Sequence, residues 1–205
     1  HLRDGAAHLI NAGKSIAYGP LALAAGRRGV ALAASGVYQT YYEKLDENGI
    51  GIPYEEYAYA ACMCQVLIDG ETGQMTVERI VSAVDTGKAY NPLVVEGQIE
   101  GGAIMNMGYA AMENIYPGYP HEHYQTTNLN DYTIPTSLDC PDVESIIVEV
   151  PSVKGPLGAK GPSEVAAAMI APAVANAVGD AIGVHPTKTP ITGEYIYELL
   201  KRAGE

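Results

Sequence analysis

Apolar and polar positions change their spacing along the chain, and the changes mark out the elements. Tyr57 to Ile68 is an apolar run, and Met75 to Val84 alternates through Val77, Arg79 and Val81. Two such stretches joined by Asp69-Gly70-Glu71-Thr72-Gly73-Gln74 predict a β-hairpin over 57–84. Gly70 and Gly73 can take positive φ in that turn without a Cβ clash. The pattern then predicts a helix from about Leu93 to Glu113, strands near Tyr132–Ile134 and Ser145–Val150, and an Ala-rich helix from about Glu164 to Ile182. Gly183 is placed to stop that helix, and Thr192 to cap a last one ending near Arg202. Upstream, Ser15–Arg28 has a weak helical pattern, Val30–Tyr42 reads as extended and Glu43–Tyr54 as loop. The sum is an α+β fold, a mixed sheet with helices packed on it.

Two local features stand out from this pattern. The helix at 93–113 carries Gly97, Gly101, Gly102 and Gly108, each costing about 1 kcal/mol against Ala. Such a helix has something close to its backbone, either a neighbouring element or a ligand. Gln98, among these glycines, has an amide able to donate and accept; the plain alternative is a solvent-facing side chain. The second feature is the loop Gly155-Pro156-Leu157-Gly158-Ala159-Lys160-Gly161-Pro162-Ser163-Glu164, which opens a helix. Unpaired N–H groups at a helix start attract anions and oxo groups. Ser163 could cap there, with Glu164 in the first turn, where the dipole favours a carboxylate. Capping and dipole compensation alone would also account for both residues. The loop is not a Walker phosphate loop, since no Gly-Lys-Ser/Thr follows the required spacing.

Composition narrows the function classes. Of 205 residues, 47% are hydrophobic and 18% charged, as in a folded chain, and the net charge of −12 disfavours nucleic acid. No stretch approaches 18 uninterrupted apolar residues, so no membrane partner is expected. Cys62, Cys64 and Cys140 form no disulfide framework, which suggests a reducing, cytoplasmic setting, and three thiols cannot supply the usual four ligands of an iron–sulfur cluster. Cys62 and Cys64 are expected to pack rather than to bind metal. His121 and His123, flanking Glu122, make at best a weak metal candidate, and no metal ligand is assigned. Fifteen Tyr stand beside no Phe and no Trp, for which there is no physical account.

The motifs occur in a recognisable order. Asp85-Thr86-Gly87, Asn91-Pro92 and Gly97-Gln98-Ile99-Glu100-Gly101-Gly102 together resemble the DxGxxxNPxxxxGQxxGG segment of xanthine dehydrogenase and aldehyde oxidase molybdenum subunits. Asp131-Tyr132-Thr133-Ile134-Pro135-Thr136 resembles that family's DYxIPT, and Gly158 to Glu164 resembles its GAKGVGE. The hairpin turn matches too, so the resemblance runs from about residue 50 to the C-terminus. Residues 1–205 then form one C-terminal portion of a molybdopterin-binding domain, with 1–50 as a lead-in and 51–205 matching the family.

The resemblance implies a molybdenum hydroxylase acting on a heteroaromatic ring or an aldehyde with water-derived oxygen, and Glu164 as the base. It implies cofactor contacts from Gln98, Gly97, Gly101, Lys160, Gly161, Pro162 and Ser163. The cofactor would be molybdenum-molybdopterin, in the plain or cytosine dinucleotide form. Iron–sulfur clusters and FAD would sit on partner chains or domains, beside an N-terminal molybdopterin-binding half or subunit. Pro162-Ser163 in place of Val-Gly is a departure from the family pattern. It motivates a scaffold or assembly role as an alternative, and an unrelated anion-binding or nucleotide-binding domain is the more remote one. His121, His123, Tyr124 and Asn128 are residues that could approach a substrate, though nothing in the sequence fixes that.

Overall fold

The computed structural model describes residues 1–40, 42–118, 123 and 125–204. The chain divides into two compact units, His1–Gln39 and Thr40–Glu205.

The first unit is an antiparallel three-stranded meander followed by a helix: β1 (Leu2–Arg3), β2 (Ala6–Leu9), β3 (Lys14–Ala17) and α1 (Tyr18–Arg27). The helix predicted from Ser15 therefore starts later. Residues 14–17 pair with β2, and the helix begins two residues before Pro20, which fits a first turn because no N–H bond is lost there. No residue of α1 is buried. The extended stretch expected over 30–42 forms no strand among its described residues.

The second unit has a mixed sheet in the order β4 (Ala60–Ile68), β5 (Met75–Asp85), β6 (Asp142–Val148). β4 and β5 form the expected antiparallel hairpin, and β5 and β6 are parallel, with Ile80 opposite Val143 and Val84 opposite Ile147. A parallel pair needs a crossover, and α2 (Pro92–Ala111) lies within it. In the turn, the Asp69 carboxylate accepts from the N–H groups of Glu71 and Thr72. Only Gly73 takes positive φ, and a Cβ there would lie 2.3 Å from the Gly193 carbonyl oxygen. Gly73 thus lets the turn meet α5 (Gly193–Ala203).

The alternation read along β5 breaks midway. Gln65 pairs with Arg79 but Val66 with Val77, so Glu78 is the extra residue of a bulge. Val77 faces inward, and after the bulge Ile80, Ser82 and Val84 do, while Arg79 lies outside. The strand expected at 132–134 is instead turn and coil, held by the Asn128 carbonyl, which accepts from the N–H groups of Asp131 and Tyr132.

The helix expected over 164–182 is two: α3 (Ser163–Ala168) and α4 (Ile170–Ile182), meeting at Met169 and ending on Gly183 at φ 75°. Taken together they are long and apolar enough, by length and composition, to cross a membrane, but Ala166, Ile170, Val174 and Val178 face the core. That core lies between the inner sheet face (Val77, Ile80), α2 (Ala103, Met107), α4, and Ile196 and Leu199 of α5. Full burial of each such Ile, Val or Leu side chain contributes roughly 1.5–3 kcal/mol. Cys62 and Cys64 pack against this core, as expected of one strand face. Thr192 caps α5, its hydroxyl accepting from the Tyr195 N–H.

Candidate active site

α2 is set by its first two residues. The Asn91 side chain accepts from the Val94 N–H at 3.4 Å, and Pro92 follows at the first helical position. From there, positions four apart line one face: Gly97, Gly101 and Met105, and beside them Gln98, Gly102 and Asn106. These six residues, with Ser163, Glu164, Ala167 and Ala168 of α3, surround a cavity of about 550 Å³. At Gly102 the two helices touch, since a Cβ would sit 3.3 Å from the Ala167 nitrogen and 3.5 Å from the Ser163 carbonyl oxygen. At Gly97 and Gly101 a Cβ would meet nothing within 4 Å. Gly108 has another neighbour, the Pro135 ring, 2.6 Å from where its Cβ would be. Beside it, the Tyr132 hydroxyl donates to the Glu113 carboxylate, which raises the Tyr132 pKa. The Tyr-x-x-Pro stretch is therefore a brace for the end of α2.

The loop before α3 hangs on the end of β5. The Thr86 carbonyl accepts from the Lys160 N–H at 3.0 Å, and the Gly158 carbonyl accepts from the N–H groups of Lys88 (2.7 Å) and Ser152 (2.9 Å). Gly87, at φ 64°, bridges Ala159, and a Cβ there would fall 2.3 Å from the Gly158 oxygen. The Lys160 ammonium meets the Asp85 carboxylate at 2.7 Å, with Glu56 at 3.9 Å. Burial pushes the Asp85 carboxyl up, but the Lys160 bond and the Gly87 N–H outweigh it and hold the pKa below the ordinary value. The same bond raises the Lys160 pKa against the effect of burial. This clamp fixes where α3 begins.

Gln98 and Ser163, 65 residues apart, are hydrogen-bonded: the Ser163 hydroxyl donates to Gln98 Oε1 at 2.7 Å. Ser163 is thus not a cap. It is the first residue of α3, Pro162 holds the capping position without a side-chain bond, and Glu164 follows in the first turn. Gln98, Gly97, Gly101, Ser163 and Glu164 come together on one cavity. Lys160, Gly161 and Pro162 are not among its lining residues. The Lys160 side chain is only 9% exposed and is committed to Asp85.

Met105, Asn106, Ala167 and Ala168 are lining residues that the sequence reading passed over; continuing the four-residue period from Gly97 and Gln98 would have reached the first two. Asn128 binds Asp131 and the Asn130 N–H within its own turn. His121, Glu122 and Tyr124 lie outside the described residues, and no three His, Cys, Asp or Glu among the described residues are grouped to hold a metal. A larger cavity, about 610 Å³, lies between the hairpin turn and α5 around Cys140 and Glu194, and is lined by none of the candidate base or cofactor-contact residues.

The donor set offers one carboxylate (Glu164), two amides (Gln98 and Asn106) and one hydroxyl (Ser163) beside bare helix backbone. That set fits a cofactor that carries its metal on its own ligands and presents polar edges to the protein. It does not fit a metal held by side chains alone.

The family described as the molybdopterin cofactor-binding domain matches residues 1–141. The match includes the first 50 residues, and the loop at 158–164 lies beyond it. The xanthine dehydrogenase molybdenum-binding subunit of Escherichia coli is 33% identical over 158 residues, 77% of this chain and 21% of that protein. The aldehyde oxidoreductase of Desulfovibrio gigas superposes with a TM-score of 0.71 at 30% identity, over 78% of this chain and 17% of that one. Quinoline 2-oxidoreductase from Pseudomonas putida superposes with a TM-score of 0.75 at 26% identity, over 98% of this chain and 25% of that one. The chain thus spans between a sixth and a quarter of these relatives' lengths. It belongs to the molybdopterin cofactor-binding domain family, as part of a molybdenum-binding subunit of the xanthine dehydrogenase and aldehyde oxidase type.

Proposed function

We propose that this chain forms part of the active site of a hydroxylase that oxidises a heteroaromatic ring or an aldehyde, with Glu164 as the base. The observation that carries this reading is the shared cavity: Gln98 of α2 and Glu164 of α3 line it together. The names of the aligned quinoline and aldehyde enzymes support the substrate class. Gly97 and Gly101 support a ligand on the face of α2. Among the described residues no atom lies close enough to need them bare, and each costs about 1 kcal/mol against Ala in a helix.

The bound molybdenum–pterin cofactor, plain or as its cytosine dinucleotide, would supply the two-electron oxidation. Gln98 and the backbone at Gly97 and Gly101 would hold its polar edge. A Glu164 carboxylate oxygen would accept the proton released as water-derived oxygen becomes nucleophilic. Asp85 and Lys160 keep α3, and with it Glu164, in place. Completing the site would require an N-terminal molybdopterin-binding half, and electrons would leave through iron–sulfur and FAD partners. A reducing, cytoplasmic compartment suits the three free cysteines.

The test is Glu164→Gln in the complete complex. Turnover is expected to fall by at least about a hundredfold with bound molybdenum retained; near-wild-type turnover would refute the base. A non-catalytic scaffold is the second reading, motivated by Ser163 standing beside Glu164. One molybdenum per molybdenum subunit in the purified complex favours the enzyme, and none favours the scaffold.

A further inference from the structure

We infer that a second cavity, adjoining the candidate active site, takes an anionic group of the substrate, with Lys188 as the residue that selects it. The inference rests on the hydroxylase reading above. The cavity, about 510 Å³, lies beside the first and shares Asn106 and Ala168 with it. Its other polar lining comes from Tyr109 of α2 and from Thr187, Lys188 and Thr189 of the segment before α5. That segment is tied at two points. The Ile191 N–H donates to the Ala110 carbonyl of α2 at 2.7 Å, and the Thr187 N–H donates to the hydroxyl of the buried Tyr195 at 3.0 Å. The Lys188 ammonium lies 4.4 Å from the centre of the Tyr195 ring, a cation–π contact that needs no carboxylate.

Charge decides what such a cavity takes. Of the residues lining the two cavities, only Glu164 and Lys188 are charged, one in each. Among the described residues Lys188 forms no ion pair, in a chain where acidic residues outnumber basic ones by 24 to 12. Tyr195 reports the local sign. Hydrogen bonding with Thr187 lowers its pKa against the effect of burial, and the charges of Lys188 and Arg202 lower it further. An oxyanion, whether carboxylate or phosphate, is the group that this positive corner attracts. Position assigns it to the substrate rather than to the cofactor. Gln98, the proposed cofactor contact, lies eight residues before Asn106, about 12 Å along α2. Glu164 precedes the shared Ala168 by one turn of α3, about 6 Å. A substrate whose reacting carbon faces Glu164 has to extend only about that far for its carboxylate to enter the second cavity.

The test uses the complete complex, with its molybdenum and pterin content measured first. The probes are two matched pairs, nicotinate against nicotinamide and para-carboxybenzaldehyde against benzaldehyde, compared by calorimetric binding and by separate kcat and KM values. In the wild type the acid of at least one pair is expected to bind more tightly than its neutral partner, and added salt to erode that preference. Lys188→Met should raise the Kd and KM of the acid roughly three- to fivefold and leave the neutral partner and the pterin content unchanged. Lys188→Arg, which keeps the charge, should retain most of the preference. The inference is overturned by a wild type that favours the acid in neither pair, by a Lys188→Met loss that falls equally on acid and neutral partner, or by unchanged selectivity in that variant. Loss of pterin from Lys188→Met with selectivity unchanged would put a cofactor phosphate in the cavity and overturn the assignment to substrate. A wild-type complex holding no molybdenum and no pterin overturns the hydroxylase reading itself, whereas a loaded, active complex without the preference overturns this inference alone.

Discussion

Replacing Gly101 with Ala should strengthen the helix and weaken the site. Gly101 sits in the interior of α2, and an added Cβ would meet no atom of the described residues within 4 Å. The substitution therefore carries no steric cost inside the chain and gains the helix propensity of Ala, about 0.8–1.0 kcal/mol. Through local opening, that gain should slow amide hydrogen exchange in α2 by about fivefold, whether or not other domains unfold independently. The methyl group would project into the cavity shared by Gln98 and Glu164. In the complete complex, bound pterin and turnover should fall even though the helix is more stable. Gly102→Ala is the control. Its Cβ would press on the Ala167 nitrogen at 3.3 Å, so exchange in α2 and α3 should accelerate instead. Slower exchange in Gly101→Ala with pterin content and turnover unchanged would refute the claim that a ligand occupies the bare face. Faster exchange would refute the open geometry itself.

Other consequences follow from the clamp that places α3. Lys160→Met leaves the Asp85 carboxylate buried without its cation, and thermal denaturation should show a clear loss of stability at neutral pH. Asp85 titrates below its usual 3.8 and Lys160 above its usual 10.5. The contribution of the pair is therefore fully present between those two values. It is lost as pH falls through the lowered Asp85 pKa or rises through the raised Lys160 pKa. A gap between wild type and variant that does not begin to narrow as pH falls below 3.8 would contradict this. Gly87→Ala should destabilise more than its positive φ alone accounts for, about 1–2 kcal/mol, because its Cβ would also strike the Gly158 oxygen at 2.3 Å; denaturant titration of the complex reads the difference.

The hairpin, the two long helical regions and the helix ends at Gly183 and Thr192 were legible because each rests on local chemistry: a two-residue or four-residue period, a side-chain acceptor, a glycine in the left-handed region. The misreadings came where a distant partner decides. The bulge at Glu78 shifts the inward face of β5 from Val81 to Ile80, Ser82 and Val84, and only the pairing with β4 reveals it. Residues 14–17 have no strong strand signal of their own and become a strand because Ala6–Leu9 lies alongside. Tyr132–Ile134 reads as a strand by composition, yet its Tyr and the following Pro are held by Glu113 and Gly108.

The site divides along the same line. Gln98 and Glu164 could be singled out by residue type and surroundings, but the purpose of Asp85 and Lys160 could not, because an ion pair across 75 residues leaves no periodic trace. Lys160 shows why this matters. A lysine in a glycine loop before a helix suggests a ligand contact, and the same charge, once buried against Asp85, serves to hold that loop. The motif residues thus have two separable tasks. Asp85, Gly87 and Lys160 hold the loop from which α3 starts, while Gln98, Ser163 and Glu164 line the cavity in front of it and, on the proposed reading, would decide what lies there. Damage to the first group should perturb stability and site together, whereas damage to the second should alter the ligand and leave the fold intact.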